Sequence, residues 1–185
     1  MERIARIAES ESATVLVTDS GLGGLWVAAD IERRARATGA FRSLRIIFAS
    51  ALPEARRGYN TFASEADKVR VFDDALAGMV GRYRPDLVLV ACNTLSALLS
   101  RTRSARGVPM VGIVDLGAAM LQERLQAGGD TTAIVFATET TVATGVYGAL
   151  LADRGADRAG LPRRRRGAPG LRAGPGAVFL RRALA

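Results

Sequence analysis

Cys92 is the only cysteine in 185 residues, and it begins Cys92-Asn93-Thr94 directly after the run Asp86–Ala91. A thiol between a strand end and a helix start is favoured as thiolate by the helix's positive end, so it can act as base or nucleophile. A buried, inert thiol is the competing reading. Asp19-Ser20-Gly21-Leu22-Gly23-Gly24 follows a second such run, Ala13–Thr18. Asp19 could accept a ligand ammonium or orient a thiol, or it could cap the turn that follows it. The N–H groups of a glycine-rich turn that opens a helix can hold a carboxylate or phosphate. A tight turn that needs glycine dihedrals would use the same residues. Thr138 and Thr141 could offer hydroxyls to a ligand carboxylate or cap a helix. Ser50–Asn60, with Gly58, Tyr59 and Asn60, is long for a strand-to-helix connection, and such loops are often functional.

Several chemistries are excluded by what is missing. Without histidine there is no Ser-His-Asp triad, no Cys-His hydrolase and no imidazole metal ligand. A single cysteine allows neither an intrachain disulfide nor a thiolate zinc cluster, so no metal site is expected. A dinucleotide fingerprint would need glycine where Trp26 stands, and no Gly-Lys-Ser/Thr follows the glycines. A cysteine phosphatase would need arginine where Leu98 stands. Lys68 shares a charged stripe with Glu65 and Asp67, which describes a solvated face rather than a Schiff-base lysine. No cofactor is expected.

The elements that must position these residues follow from short apolar runs at Ala13–Thr18, Leu44–Ala49, Asp86–Ala91, Pro109–Val114 and Thr131–Ala137. Each is about a strand long and apolar on both faces, as in a buried parallel strand. Between them, Trp26, Ala29, Ile31 and Ala35 mark one helical stripe, and Val69, Phe72, Ala75, Leu76 and Met79 a clearer one. Ser64 with Asp67 reads as a helix cap. Alternating strands and helices predict an α/β fold: a doubly wound parallel sheet with helices on both faces. In such sheets ligands sit at the carboxyl ends of the strands, which is where the polar groups named above converge.

Charge divides the chain. Lys plus Arg number 26 against 18 Asp plus Glu, for a net charge of +8. Residues 1–151 hold 17 basic and 16 acidic side chains, whereas 152–185 hold nine Arg and two Asp. The excess is therefore a property of the tail. Residues 159–185 use only Ala, Gly, Leu, Pro and Arg apart from Val178 and Phe179, and no apolar period fits them. The predicted organisation is a first α/β domain at 1–115, a partial second at 116–151 and an unstructured basic tail at 152–185. The run Arg163–Arg166 could bind nucleic acid, but no aromatic interleaving accompanies it, so neither nucleic acid nor membrane is an expected partner. No run nears the ~20 apolar residues of a membrane-spanning helix, and no apolar leader is visible. A cytoplasmic location is expected.

Three stretches together resemble the cofactor-independent aspartate/glutamate racemase superfamily, and its glutamate racemases most. They are Val17–Leu25, Val90–Ala97 and Ala137–Val142 with Gly145-Val146-Tyr147, in matching order and spacing over about residues 13–150. Pro109–Val114 looks like the family's link toward its second domain. The resemblance implies racemisation of a small amino acid, in peptidoglycan precursor supply, by two cysteines on opposite sides of the α-carbon. It would make Cys92 one acid/base and Asp19 its assistant. Ser20, Asn93, Thr94, Thr138 and Thr141 would hold the substrate, joined by Gly58, Tyr59 and Asn60 where the family usually has Pro-Tyr-Gly. A homodimer is compatible with it. The family's second cysteine motif has no counterpart here, and the loss of apolar periodicity near 151–158 suggests truncation or a shifted reading frame. A non-catalytic ligand-binding remnant, a hydantoin racemase and, last, a nucleic-acid binder are the alternatives.

Overall fold

A computed structural model describes residues 2–52, 58–104, 107–127, 132–152 and 177–181. The chain divides into two compact units, Met1–Ile113 and Val114–Ala185, and each is described by itself.

The first unit holds α1 (Glu2–Ala8), β1 (Ser12–Asp19), α2 (Gly23–Thr38), β2 (Ser43–Ser50), α3 (Glu65–Tyr83), β3 (Leu87–Val90), α4 (Asn93–Leu98) and β4 (Met110–Gly112). The strands form a parallel sheet in the order β2-β1-β3-β4. Strand β1 is central because it is apolar on both faces: Val15 and Val17 point to one side, Leu16 and Thr18 to the other. On the first side Val15, Val17, Ile46, Phe48, Leu89 and Ala91 pack with Ala28 and Ile31 of α2. On the second side Leu16, Val88 and Val90 pack with Phe72 and Leu76 of α3 and Leu95 and Leu98 of α4. Helices on both faces of a parallel sheet are the predicted architecture.

Two sequence expectations change here. The buried face of α2 carries Gly24 and Ala28, with Ile31 packed beside them, whereas Trp26 and Ala29 of the predicted stripe are exposed. Trp26 dominates a hydrophobicity count by its size, but the space beside Asp19 and Phe48 admits only glycine and alanine. The fourth run is also shorter than predicted: β4 ends at Gly112, and Ile113 and Val114 begin the next helix. The stripe on α3 is as predicted, with Phe72 and Leu76 fully buried. Ser64 caps α3, accepting from the Asp67 N–H at 3.0 Å while its hydroxyl donates to the Asp67 carboxylate at 2.6 Å.

The second unit contains α5 (Ile113–Ala127, its first residue in the first unit), β5 (Thr132–Phe136), α6 (Glu139–Thr144), α7 (Val146–Ala152) and β6 (Ala177–Arg181). Val114, Ala118, Tyr147 and Leu151 form its core, with Leu121 and Val135 against them. The fifth predicted strand thus exists, but it pairs antiparallel with β6 in a separate two-stranded sheet. This corrects the unstructured tail at 177–181. Arginine and proline dominate the segment's composition and hide the run Val178-Phe179-Leu180, whose β-branched and aromatic residues suit a strand. The rest of the predicted tail, 153–176 and 182–185, lies outside the described residues.

Two local features give measurable outcomes. Arg84 ends α3 with φ 46°, the only non-glycine positive φ among the described residues, and its N–H bonds to the Val80 carbonyl. Glycine suits that position, so Arg84→Gly should raise stability by ~0.5–1 kcal/mol in urea unfolding. Asp73 of α3 accepts the N–H groups of Arg103 and Ser104 at 3.0 and 2.9 Å. Burial opposes its charge, but these bonds to Ser104 and Arg103 outweigh it and hold the carboxyl below its ordinary value. A lowered folded value contributes stability that is present above the unfolded pKa of about 3.9 and lost as pH falls through the folded one. Asp73→Asn should therefore cost stability at neutral pH, and its urea-midpoint deficit should shrink as the pH drops below about 4.

Candidate functional site

Strand order decides where a ligand can reach this sheet. From β1 the chain passes to β2 on one side and later to β3 on the other, so the connections diverge between the carboxyl ends of β1 and β3. That switch point is the usual binding crevice of an open α/β sheet. Parallel pairing sets Thr18 beside Val90 and Asp19 beside Ser50. The Ala91 N–H continues the ladder to the Thr18 carbonyl at 2.8 Å, and the Ala51 N–H to the Asp19 carbonyl at 2.7 Å. The residues that follow the three strands are thereby brought to one edge.

Ser20 and Cys92 face each other across that crevice, with Oγ and Sγ 3.2 Å apart. Either atom can donate, so the serine hydroxyl can accept from the thiol or donate to a thiolate. Cys92 is buried and takes extended dihedrals at the N-cap of α4, its carbonyl accepting the Ser96 N–H at 2.8 Å. The helix behind it is six residues long, so the nearby N–H groups matter more than a long macrodipole. Asn93 is exposed and Thr94 buried at the start of that helix.

Asp19 is bound into the fold on the opposite face. Its Oδ1 accepts the Gly21 N–H at 2.9 Å and its Oδ2 the Gly24 N–H at 2.8 Å. The group seen beside the sulfur is therefore the Ser20 hydroxyl, while Asp19 fastens the turn. Gly24 owes its place to contact rather than to a positive φ. A Cβ on Gly24 would lie 2.9 Å from Asp19 Cβ and 3.1 Å from both Ala91 Cβ and Phe48 Cε2. On Gly21 it would meet nothing within 4 Å.

Tyr59 lies in a short 3-10 turn, Tyr59–Thr61, between exposed Gly58 and Asn60. It is almost fully buried, its hydroxyl donates to the Ala51 carbonyl at 2.8 Å, and its ring packs on Phe62 and edge-on against Phe72. Burial, and then the negative charge that Cys92 can carry, push its phenol above the ordinary range. In the second unit, Thr138 is the N-cap of α6: its Oγ1 accepts the Thr141 N–H at 3.4 Å and lies 3.0 Å from Thr141 Oγ1. That is the capping role, and Thr141 is buried.

What the sequence did not reveal is that Ser20, rather than Asp19, meets the sulfur. It takes the register of β1 against β3 together with strand alternation: residues 16, 18 and 20 share the face of Cys92, and residue 19 does not. Thr18 is also unforeseen. It is fully buried on that face, and its Oγ1 has no hydrogen-bond partner among the described residues. Two open grooves lie elsewhere, one lined by Glu65, Arg70 and Arg101, the other by Arg84 and Val108 at the opposite end of the strands. Among the described residues no group of three or more Cys, Asp or Glu is placed to hold a metal ion, and no helix is long and apolar enough to cross a membrane.

The Asp/Glu/Hydantoin racemase family profile matches residues 23–174, most of the chain. The chain belongs to this family. The match runs past Ala152 into the arginine-rich segment. Among curated proteins, the chain is 37% identical over 112 residues to a glutamate racemase of Granulibacter bethesdensis, covering 55% of the chain and 34% of that relative. It is 34% identical over 134 residues to one from Shewanella denitrificans, covering 71% and 43%. To one from Chlorobaculum tepidum it is 27% identical over 140 residues, covering 75% and 47%. The chain thus spans less than half the length of these racemases.

The glycine turn gives a paired test. Gly24→Ala should destabilise by ~1–3 kcal/mol in urea unfolding, because the methyl is overpacked. Gly21→Ala should stay within about 0.5 kcal/mol. Equal costs would mean that the close approach of Gly24 to Asp19, Ala91 and Phe48 is not what selects glycine there.

Proposed function

We propose that this racemase-family chain acts on the α-carbon of a small acidic amino acid, glutamate or aspartate, with Cys92 as the proton acceptor and without a cofactor. The observation that carries the reading is the buried Cys92 thiol at the sheet's switch point, 3.2 Å from the Ser20 hydroxyl. The Cys92 thiolate takes the α-proton and becomes a thiol, and the electron pair left on carbon delocalises into the substrate carboxylate. Backbone N–H groups and the polar side chains of Ser20, Asn93 and Thr94 then stabilise the growing negative charge. Gly58 and Asn60 are the further ligands proposed, and Asp19 supports the reaction by fixing the turn that carries Ser20. Paired with an acid on the opposite face of the α-carbon, this step would supply a D-amino acid for peptidoglycan precursors, in the cytoplasm, as a monomer or homodimer.

Inversion needs an acid on the face opposite the base, and this sequence has a single cysteine and no histidine. The proton returned by Cys92 therefore goes back to the face it left, with retained configuration. In deuterium oxide the thiol exchanges with solvent between the two steps, so the α-hydrogen is replaced by deuterium without racemisation. Incubating the 185-residue chain with L-glutamate, D-glutamate and the two aspartates should give α-proton loss by NMR with little change in optical rotation. Cys92→Ser should reduce that exchange by at least ~100-fold. Rapid inversion would overturn the one-base reading, and exchange that survives Cys92→Ser would overturn the role of the thiol. A substituted hydantoin in the same assay covers the family's other substrate class.

A further inference from the structure

Tyr59 is a buried residue with a polar group that the proposed chemistry leaves unused. Ala51, Tyr59, Phe72 and Cys92 belong to one buried cluster, with Leu52 and Phe62 packed against it. Ala51 immediately follows β2, whose last residue pairs with Asp19, so this end of the cluster is fixed to the sheet. Tyr59 is eight residues further on, and its hydroxyl is spent on the Ala51 carbonyl. The phenol therefore cannot donate that proton to a substrate, and its ring is clamped between Phe62 and Phe72. We propose that Tyr59 is a positioning residue for Cys92: the Tyr59–Ala51 hydrogen bond holds the phenol ring as a packed flank of the thiol's site and so controls access to the sulfur. The closeness of ring and sulfur is supported by the electrostatic effect of Cys92 on the Tyr59 phenol. The functional meaning of the inference rests on Cys92 being the reactive group, but the sulfur can be probed without any substrate.

The experiment measures the rate at which iodoacetamide alkylates Cys92 in the full 185-residue chain at fixed pH, across a series of urea concentrations below the unfolding transition. Tyr59→Phe keeps the ring and removes only the bond to Ala51. Losing a hydrogen bond of ordinary net strength should raise the alkylation rate about fivefold, with a urea dependence much shallower than that of global unfolding. Thr61→Val removes the neighbouring bond from the Thr61 hydroxyl to the Gly58 carbonyl in the same turn and should leave the rate at the parental value. An unchanged rate in Tyr59→Phe overturns the proposal. An increase carrying the full urea slope of unfolding does so too, because Tyr59 would then only stabilise the fold. Equal acceleration in Thr61→Val overturns the assignment to the Tyr59–Ala51 bond. Alkylation reports on the thiol alone, so loss of α-proton exchange in Cys92→Ser and faster alkylation in Tyr59→Phe can each succeed or fail independently.

Discussion

The carboxylate of Asp19 is the anchor on which the edge of the sheet depends. Successive residues of a strand point to opposite faces. At the end of β1, therefore, one of residues 19 and 20 must face α2, and the other must face the cluster around Phe72 and Leu95. A carboxylate facing that apolar cluster would lose its hydration with nothing in return. Facing α2, it meets the N–H groups of Gly21 and Gly24, which a helix start leaves without intrahelical partners. Each side satisfies the other, and the turn is tied down from within. Ser20 is thereby sent to the opposite face, where Cys92 follows β3. The small residues around Asp19 follow from the same clamp, since Gly24 must approach Asp19, Ala91 and Phe48 at once.

Much of this was legible in the sequence. Buried parallel strands read as continuous apolar runs, so four runs gave the main sheet, and the cap at Ser64 and the stripe on α3 were explicit. The stripe on α2 was not, because amphipathicity measures size and polarity, while this interface selects for absence of size. Trp26 and Leu22 are large, apolar and exposed. The pairing of β5 with β6 was invisible for a different reason. Antiparallel partners more than 40 residues apart leave no local signal (Thr132 with Arg181, Phe136 with Ala177), and a five-residue strand is easily lost in a biased composition. At the site, residue types announced the thiol and the glycine turn, but only the register of β1 against β3 shows that the hydroxyl of residue 20 is the sulfur's neighbour.

The basic excess has little bearing on the site. Around α2, Arg33 and Arg34 are both paired with Asp30, and Arg36 with Glu32. Arg101 pairs with Glu65, and Arg70 with Asp67. These contacts are short-range pairs on exposed surfaces, where solvent screening leaves little net stabilisation. They leave the described surface of the first unit locally balanced, in agreement with the near-equal counts of acids and bases over residues 1–151.

A hydroxyl beside a thiol also constrains the chemistry. A carboxylate next to Cys92 would disfavour the thiolate through like charge, and an ammonium would favour the thiolate so strongly that its basicity would fall. A serine hydroxyl carries no charge. It has one donor and two acceptor sites, so rotation about a single bond lets it receive the thiol's proton as a hydrogen bond or point its own hydrogen at the thiolate. Both protonation states of the sulfur are then met by the same neighbour at the same distance, with no heavy atom required to move. A base that must take up and return a proton in each cycle has this requirement, whereas a sulfur serving only as core packing gains little from a hydroxyl partner. The sheet provides the arrangement at small cost, because turning Asp19 toward the amides of α2 already turns Ser20 toward the sulfur.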